Sequence, residues 1–154
     1  MIKLKDILNE IGEGSAKPFD WKFDYSRGDE SFWRWESEEG DHYYTMKTRV
    51  NNEGYLFVNF ESTGGERGHK YGLVNKGEMF RTMATVMDII DSIVKKDKNI
   101  LGIDYQPAEK GNDDGKSRDK LYRAFISKAY PGVEYSNPYP DAFGPTWVRA
   151  KFKK

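Results

Sequence analysis

The sequence predicts an α+β (mixed α/β) fold in which an antiparallel meander leads into a β-α-β-α unit. Three observations carry that prediction. Between residues 21 and 74 apolar side chains recur with period two, the period of a half-buried strand. From Met79 the spacing switches to three and four, which places the apolar side chains on one stripe of a helix. Beyond residue 99 it returns to a strand-like run, then to a second helical stripe that Pro131-Gly132 stops.

In chain order, residues 2–11 read as a short amphipathic helix, with Ile2, Leu4, Ile7, Leu8 and Ile11 apolar and Gly12 and Gly14 ending it. A stripe this short is stabilised mainly by tertiary contacts. In the meander, Trp21, Phe23 and Tyr25 alternate with Lys22 and Asp24, and Trp33 and Trp35 flank Arg34. Tyr44, Met46, Thr48 and Val50 share one face of a third strand, and Leu56, Val58 and Phe60 share one face of a fourth. The connections contain Gly28, Gly40, Gly54 and the stretch Gly64-Gly65-Glu66-Arg67-Gly68, which leads to a shorter strand ending at Val74. Four or five strands separated by Gly, Asn and Asp turns predict mainly antiparallel pairing.

The long helix is predicted over residues 76–96. Its stripe is Met79, Phe80, Met83, Val86, Met87, Ile90, Ile93 and Val94, with Arg81, Thr82, Thr85, Asp88 and Lys95 on the opposite face. Asn75 and Glu78 have the spacing of a capping box, and Lys95, Lys96 and Lys98 suit the negative end of the helix dipole. Residues 100–105 should then form a strand parallel to the one ending near Val74, with the helix crossing between them. Residues 106–117 are polar and Gly-rich and read as a loop. Leu121, Tyr122, Phe125, Ile126 and Ala129 mark the second helix, residues 133–135 a strand, and residues 147–152 an edge strand. The expected shared core is Phe80, Met83, Met87, Ile90, Leu101, Ile103, Leu121 and Phe125.

A chain of 154 residues fits one domain, residues 1–154, with a substantial core. Lys+Arg and Asp+Glu are 25 each, and this zero net charge argues against a dedicated nucleic-acid binder. The absence of cysteine excludes disulfides, thiolate metal sites and cysteine nucleophiles. No apolar run approaches the roughly 20 residues of a membrane span, so the expectation is a soluble chain without membrane contact.

Motif by motif, the chemistry is sparse. Arg27-Gly28-Asp29 is a Gly-Asp turn between strands. His42 and His69 lack the spacing of a zinc site, so no metal centre is expected. Asn112-Asp113-Asp114-Gly115 has calcium-loop residue types without the remaining ligands. No Gly-x-Ser-x-Gly, phosphate-loop or dinucleotide motif occurs.

The order of elements resembles the core of the GCN5-related N-acetyltransferases, so the expected fold is acetyltransferase-like. In that family a glycine-containing turn at the start of the long helix cradles the acetyl-CoA pyrophosphate with backbone N–H groups. The resemblance places Asn75, Lys76, Gly77, Glu78 and Met79 at that turn and Tyr122, within Leu121-Tyr122, at the position of the general acid. Of the turn residues only Gly77 fits the family pattern; Val74 and Met79 depart from it, and Glu78 adds negative charge. The opening Met-Ile-Lys-Leu-Lys-Asp-Ile-Leu, the aromatic meander and the run Ile103-Asp104-Tyr105-Gln106-Pro107-Ala108 also resemble small uncharacterised proteins of tailed bacteriophages.

The functional expectation is therefore a phage-type, non-enzymatic protein–protein interaction module without a cofactor. Its partner would be a protein of the virion or the host, and its setting the virion or the host cytoplasm. The alternative is an acetyl-CoA-dependent N-acyltransferase using Tyr122. A nucleic-acid-associated role has only the aromatics and the tail Arg149-Lys151-Lys153-Lys154 to recommend it.

Overall fold

Alternating residues of consecutive strands build the first half of one sheet: β1 (Trp21–Arg27), β2 (Glu30–Glu36), β3 (His42–Val50) and β4 (Tyr55–Gly64). Each pairs antiparallel with the next. In this computed structural model the described residues are 17–37, 40, 42–64, 76–106, 115–137 and 147–153. The β1–β2 turn uses Gly28 at φ 63°, a left-handed conformation that glycine adopts without a Cβ clash. The β3–β4 turn is closed by Asn51, whose Oδ1 accepts hydrogen bonds from the backbone N–H of Glu53 (3.1 Å) and Tyr55 (3.0 Å).

After β4 come α1 (Lys76–Lys96), β5 (Gly102–Tyr105), α2 (Gly115–Ala129), β6 (Glu134–Ser136) and β7 (Val148–Lys151). The result is an α+β fold with a seven-stranded sheet ordered β1-β2-β3-β4-β5-β7-β6. All pairings are antiparallel except β4–β5. The helices lie on one face, where Tyr122 of α2 packs against Phe60 and Tyr105, and Phe80 of α1 against Phe125 of α2.

Several expectations need correction. The parallel partner of β5 is the start of β4, with Tyr55 opposite Gly102 and Val58 opposite Tyr105. The other side of β5 is taken by β7, which leaves no place for a strand ending near Val74 beside it. Residues 65–75 lie outside the described residues, as do residues 1–16, including the predicted helix at 2–11. Residues 147–152 do not form an edge: β7 sits between β5 and β6, and β6 is the outer strand. Of the predicted loop at 106–117, Gly115, Lys116 and Ser117 belong to α2, and residues 107–114 lie outside the described residues.

The core follows the helical stripe but is wider than predicted. Phe80, Met83, Met87, Ile90, Ile103, Leu121 and Phe125 are buried, whereas Leu101 is only half-buried. Ile89, Thr82 and Thr85, outside the predicted stripe, are fully buried. The segment before β1 accounts for Thr85: the Phe19 N–H donates to Thr85 Oγ1 (2.7 Å), and that hydroxyl donates to the Arg81 carbonyl (2.7 Å). A second layer of chain thus covers the side of α1 that the sequence assigns to water.

Candidate functional site

Edge strand β1 carries the largest exposed apolar side chains among the described residues, Phe23 at 52% and Tyr25 at 48%. Period two alone places Trp21, Phe23 and Tyr25 on one face. A β-bulge between Phe23 and Tyr25 breaks that pattern, because Phe23 faces Trp33 while Tyr25 faces Phe32. Phe23 therefore lies on the helix-bearing face and Tyr25 on the opposite one. Each side is paved with rings. Trp33 makes edge-on contacts with Trp21 (centroids 5.6 Å) and Phe23 (5.3 Å), and Tyr25 stacks on Phe32 (4.5 Å, 11°). The indoles are anchored: Trp21 Nε1 donates to Asp88 (2.8 Å) and Trp33 Nε1 to Thr48 Oγ1 (2.9 Å).

At the start of β1 and the end of β2 opens a cleft of about 840 Å³. Phe19, Trp21 and Trp35 form its apolar wall, and Lys22, Arg34 and Arg81 its cationic rim. The Arg81 guanidinium stacks on the Phe19 ring at 3.9 Å and donates from Nε to the Lys17 carbonyl (3.1 Å). Arg34 stacks on Tyr43 at 3.9 Å. Trp35 Nε1 is a buried donor with no acceptor; among the described residues, Ser62 Oγ and Thr82 Oγ1 are likewise buried without a partner. Nothing in the sequence marks this cleft, because its walls come from three separate segments.

The residues singled out by resemblance occupy other places. Lys76 and Gly77 lie in the first turn of α1, and Met79 is half-buried against the core. Asn75 and the side chain of Glu78 are outside the described residues. Tyr122 is 2% exposed and stacks on Tyr105 with ring centroids 4.3 Å apart. Beside it, the Tyr105 hydroxyl donates to Asp119 Oδ1 (2.6 Å), and Arg123 Nε donates to Asp119 Oδ2 (2.9 Å). Burial first, then the Asp119 carboxylate, pushes the Tyr105 phenol well above the ordinary tyrosine range. This group is locked as a neutral donor at physiological pH.

No family model, curated protein or solved structure matches the chain. The site must therefore be read from its own chemistry. Among the described residues no cluster of three metal-ligating side chains occurs, and no helix is long and apolar enough to cross a membrane. His69 and the side chain of His42 lie outside that description. The helix-free face carries a second polar group that the sequence did not flag. Asp104 accepts hydrogen bonds from Arg149 and Asn51, and Arg149 stacks over Tyr55 at 3.9 Å. Its members satisfy one another, which suits a brace between strands.

Proposed function

We propose that the chain is a non-enzymatic protein-binding module that engages its partner along β1. The observation that carries this reading is the exposure of Phe23 and Tyr25 on an outer strand whose far side pairs with no described residue. Large aromatic side chains on a strand edge are a cost in water and an asset in an interface, where they supply area at low entropic cost. The bacteriophage resemblance gives the setting: a protein partner in the virion or in the host cytoplasm. The direct test is affinity purification from infected cells, alongside mass spectrometry of purified virions. Phe23→Ser with Tyr25→Ser should abolish the association while leaving the circular dichroism unchanged. An association that survives both substitutions overturns the reading.

One observation favours a second reading, an acetyl-CoA-dependent N-acyltransferase. Parallel strands β4 and β5 pair only as far as Val58 and Tyr105, while β4 continues to Gly64. The strands stop pairing beside Tyr122, at the end of the sheet where the acetyltransferase resemblance places the cofactor. Against it stand Met79, which departs from the family's small residue, and the added charge of Glu78. Isothermal titration decides: a dissociation constant for acetyl-CoA near 1 μM, roughly −8 kcal/mol, would establish this reading in place of the first.

A further inference from the structure

Lys22 and Arg34 are directly opposed residues of β1 and β2, on the same face and at the rim of the cleft. Like charges placed across an antiparallel pair repel. Among the described residues neither meets a carboxylate: Arg34 has only the Tyr43 ring, although Glu36 lies two residues along its own strand. Elsewhere on this face Lys47 is matched with Glu30 (3.3 Å), Arg49 with Asp29 (4.0 Å) and Arg149 with Asp104 (2.8 Å). The unmatched pair adjoins a wall of Phe19, Trp21 and Trp35, and Trp35 holds an indole N–H without an acceptor.

We infer that the cleft and the adjoining Trp21–Phe23 stretch hold an extended acidic peptide segment of the partner protein. This deepens the reading of β1 as a protein-binding edge and rests on it. The peptide lies along β1 up to the bulge that follows Phe23, pairing with the open backbone edge. Side chains of a strand alternate, so neighbouring peptide residues meet different surfaces. A Glu or Asp on the helix-free side meets Lys22 and Arg34, and an apolar residue on the other side packs on Trp21 and Phe23. A nucleic acid fits less well: with Asp20 and Glu36 in the same lining, the cationic excess is confined to Lys22 and Arg34, which suits a single Asp or Glu placed between them and not a continuous phosphate chain.

The test is selection of a random dodecapeptide library on the intact chain, followed by titration of the enriched peptides. Enriched peptides should be rich in Asp and Glu and should lose about tenfold or more in affinity against Lys22→Glu/Arg34→Glu, a loss that weakens with salt. Their binding should also move the Trp35 indole N–H resonance. Lys22 is exposed and Arg34 half-buried, and Lys22→Gln/Arg34→Gln provides a milder pair should the reversal disturb folding. Peptides without acidic bias that ignore both charge variants but depend on Phe23 and Tyr25 would overturn this inference and leave the binding-module reading standing. Displacement of the peptides by oligothymidylate would overturn the assignment to a peptide. No enrichment at all would overturn both.

Discussion

Arg149 holds Asp104 through two parallel hydrogen bonds, Nε to Oδ1 at 2.8 Å and Nη2 to Oδ2 at 2.9 Å. The carboxylate side chain is 2% exposed and the guanidinium side chain 11%. Asn51 donates to the same carboxylate (2.8 Å), and Glu53 accepts from Arg149 Nη1 (3.0 Å). These bonds to Asp104 and then Glu53 hold the guanidinium further above its already high ordinary pKa. The network ties β5 and β7 to the β3–β4 turn.

Asp104→Ala takes from a largely buried guanidinium the carboxylate that holds it by two hydrogen bonds. Removing one partner of a buried pair costs about 3–5 kcal/mol, and the lower end is expected because Arg149 keeps some contact with water. Urea denaturation should show the loss as a shifted midpoint with an unchanged slope. Asp104→Leu with Arg149→Met should recover most of it.

Stability should fall at alkaline pH. Tyr105 is raised by burial and by Asp119, and Tyr130 by burial and by Asp91. The folded state thus keeps phenol protons that the unfolded chain releases at its ordinary pKa of about 10. Their contribution is complete below that value and declines as pH rises above it towards the folded-state pKa. Denaturation midpoints measured across this range should drop, and Tyr105→Phe should flatten the drop. An unchanged slope in that variant would exclude Tyr105 as the source.

Core truncations should separate full from partial burial. Ile90→Ala should cost about 2–5 kcal/mol, the transfer and cavity terms of a fully enclosed side chain. Leu101→Ala should cost less, since Leu101 is half-buried and rests against Gly54. Equal losses in thermal or chemical unfolding would contradict the placement of Leu101.

Gly102 admits no side chain. An added Cβ would overlap the Ala150 carbonyl oxygen and stand 2.9 Å from Lys151 Cα. Gly102→Ala should therefore push β5 and β7 apart, at about 1–3 kcal/mol or more. Hydrogen exchange at the backbone of residues 148–151 should accelerate more than elsewhere.

Much of this architecture was legible as period. Tyr44, Met46 and Thr48 fall on the buried face as their alternation requires, and the spacing from Phe80 to Ile90 gives the buried stripe of α1. Period fails where geometry intervenes. The bulge in β1 adds one residue to one strand, and nothing in Phe23-Asp24-Tyr25 announces it. Thr85 is polar by type yet buried, because its hydroxyl is used by the chain at Phe19. The Asp104–Arg149 pair left a fainter trace: one carboxylate between Ile103 and Tyr105, one guanidinium between Val148 and Ala150. Each breaks an apolar strand with a charge, but a separation of 45 positions along the chain hides the pairing. The cleft left none, since Phe19, Trp35 and Arg81 meet only after folding.

The insertion of β7 between β5 and β6 also sets an order of events. Among the described residues β6 pairs with no other strand, so it has no neighbour until residues 148–151 arrive. The hairpins β1–β2, β2–β3 and β3–β4 need only short loops to close and can form as soon as they leave the ribosome. The half of the sheet built from β5, β6 and β7 is different: it is completed only by residues 148–151, which are made after its other two strands. A ribosome stalled shortly before residue 148 would present a finished meander beside an unfinished edge, the backbone of β5 still bare. For that interval the nascent chain offers a second place for a foreign strand to attach, one that the released protein has closed with its own.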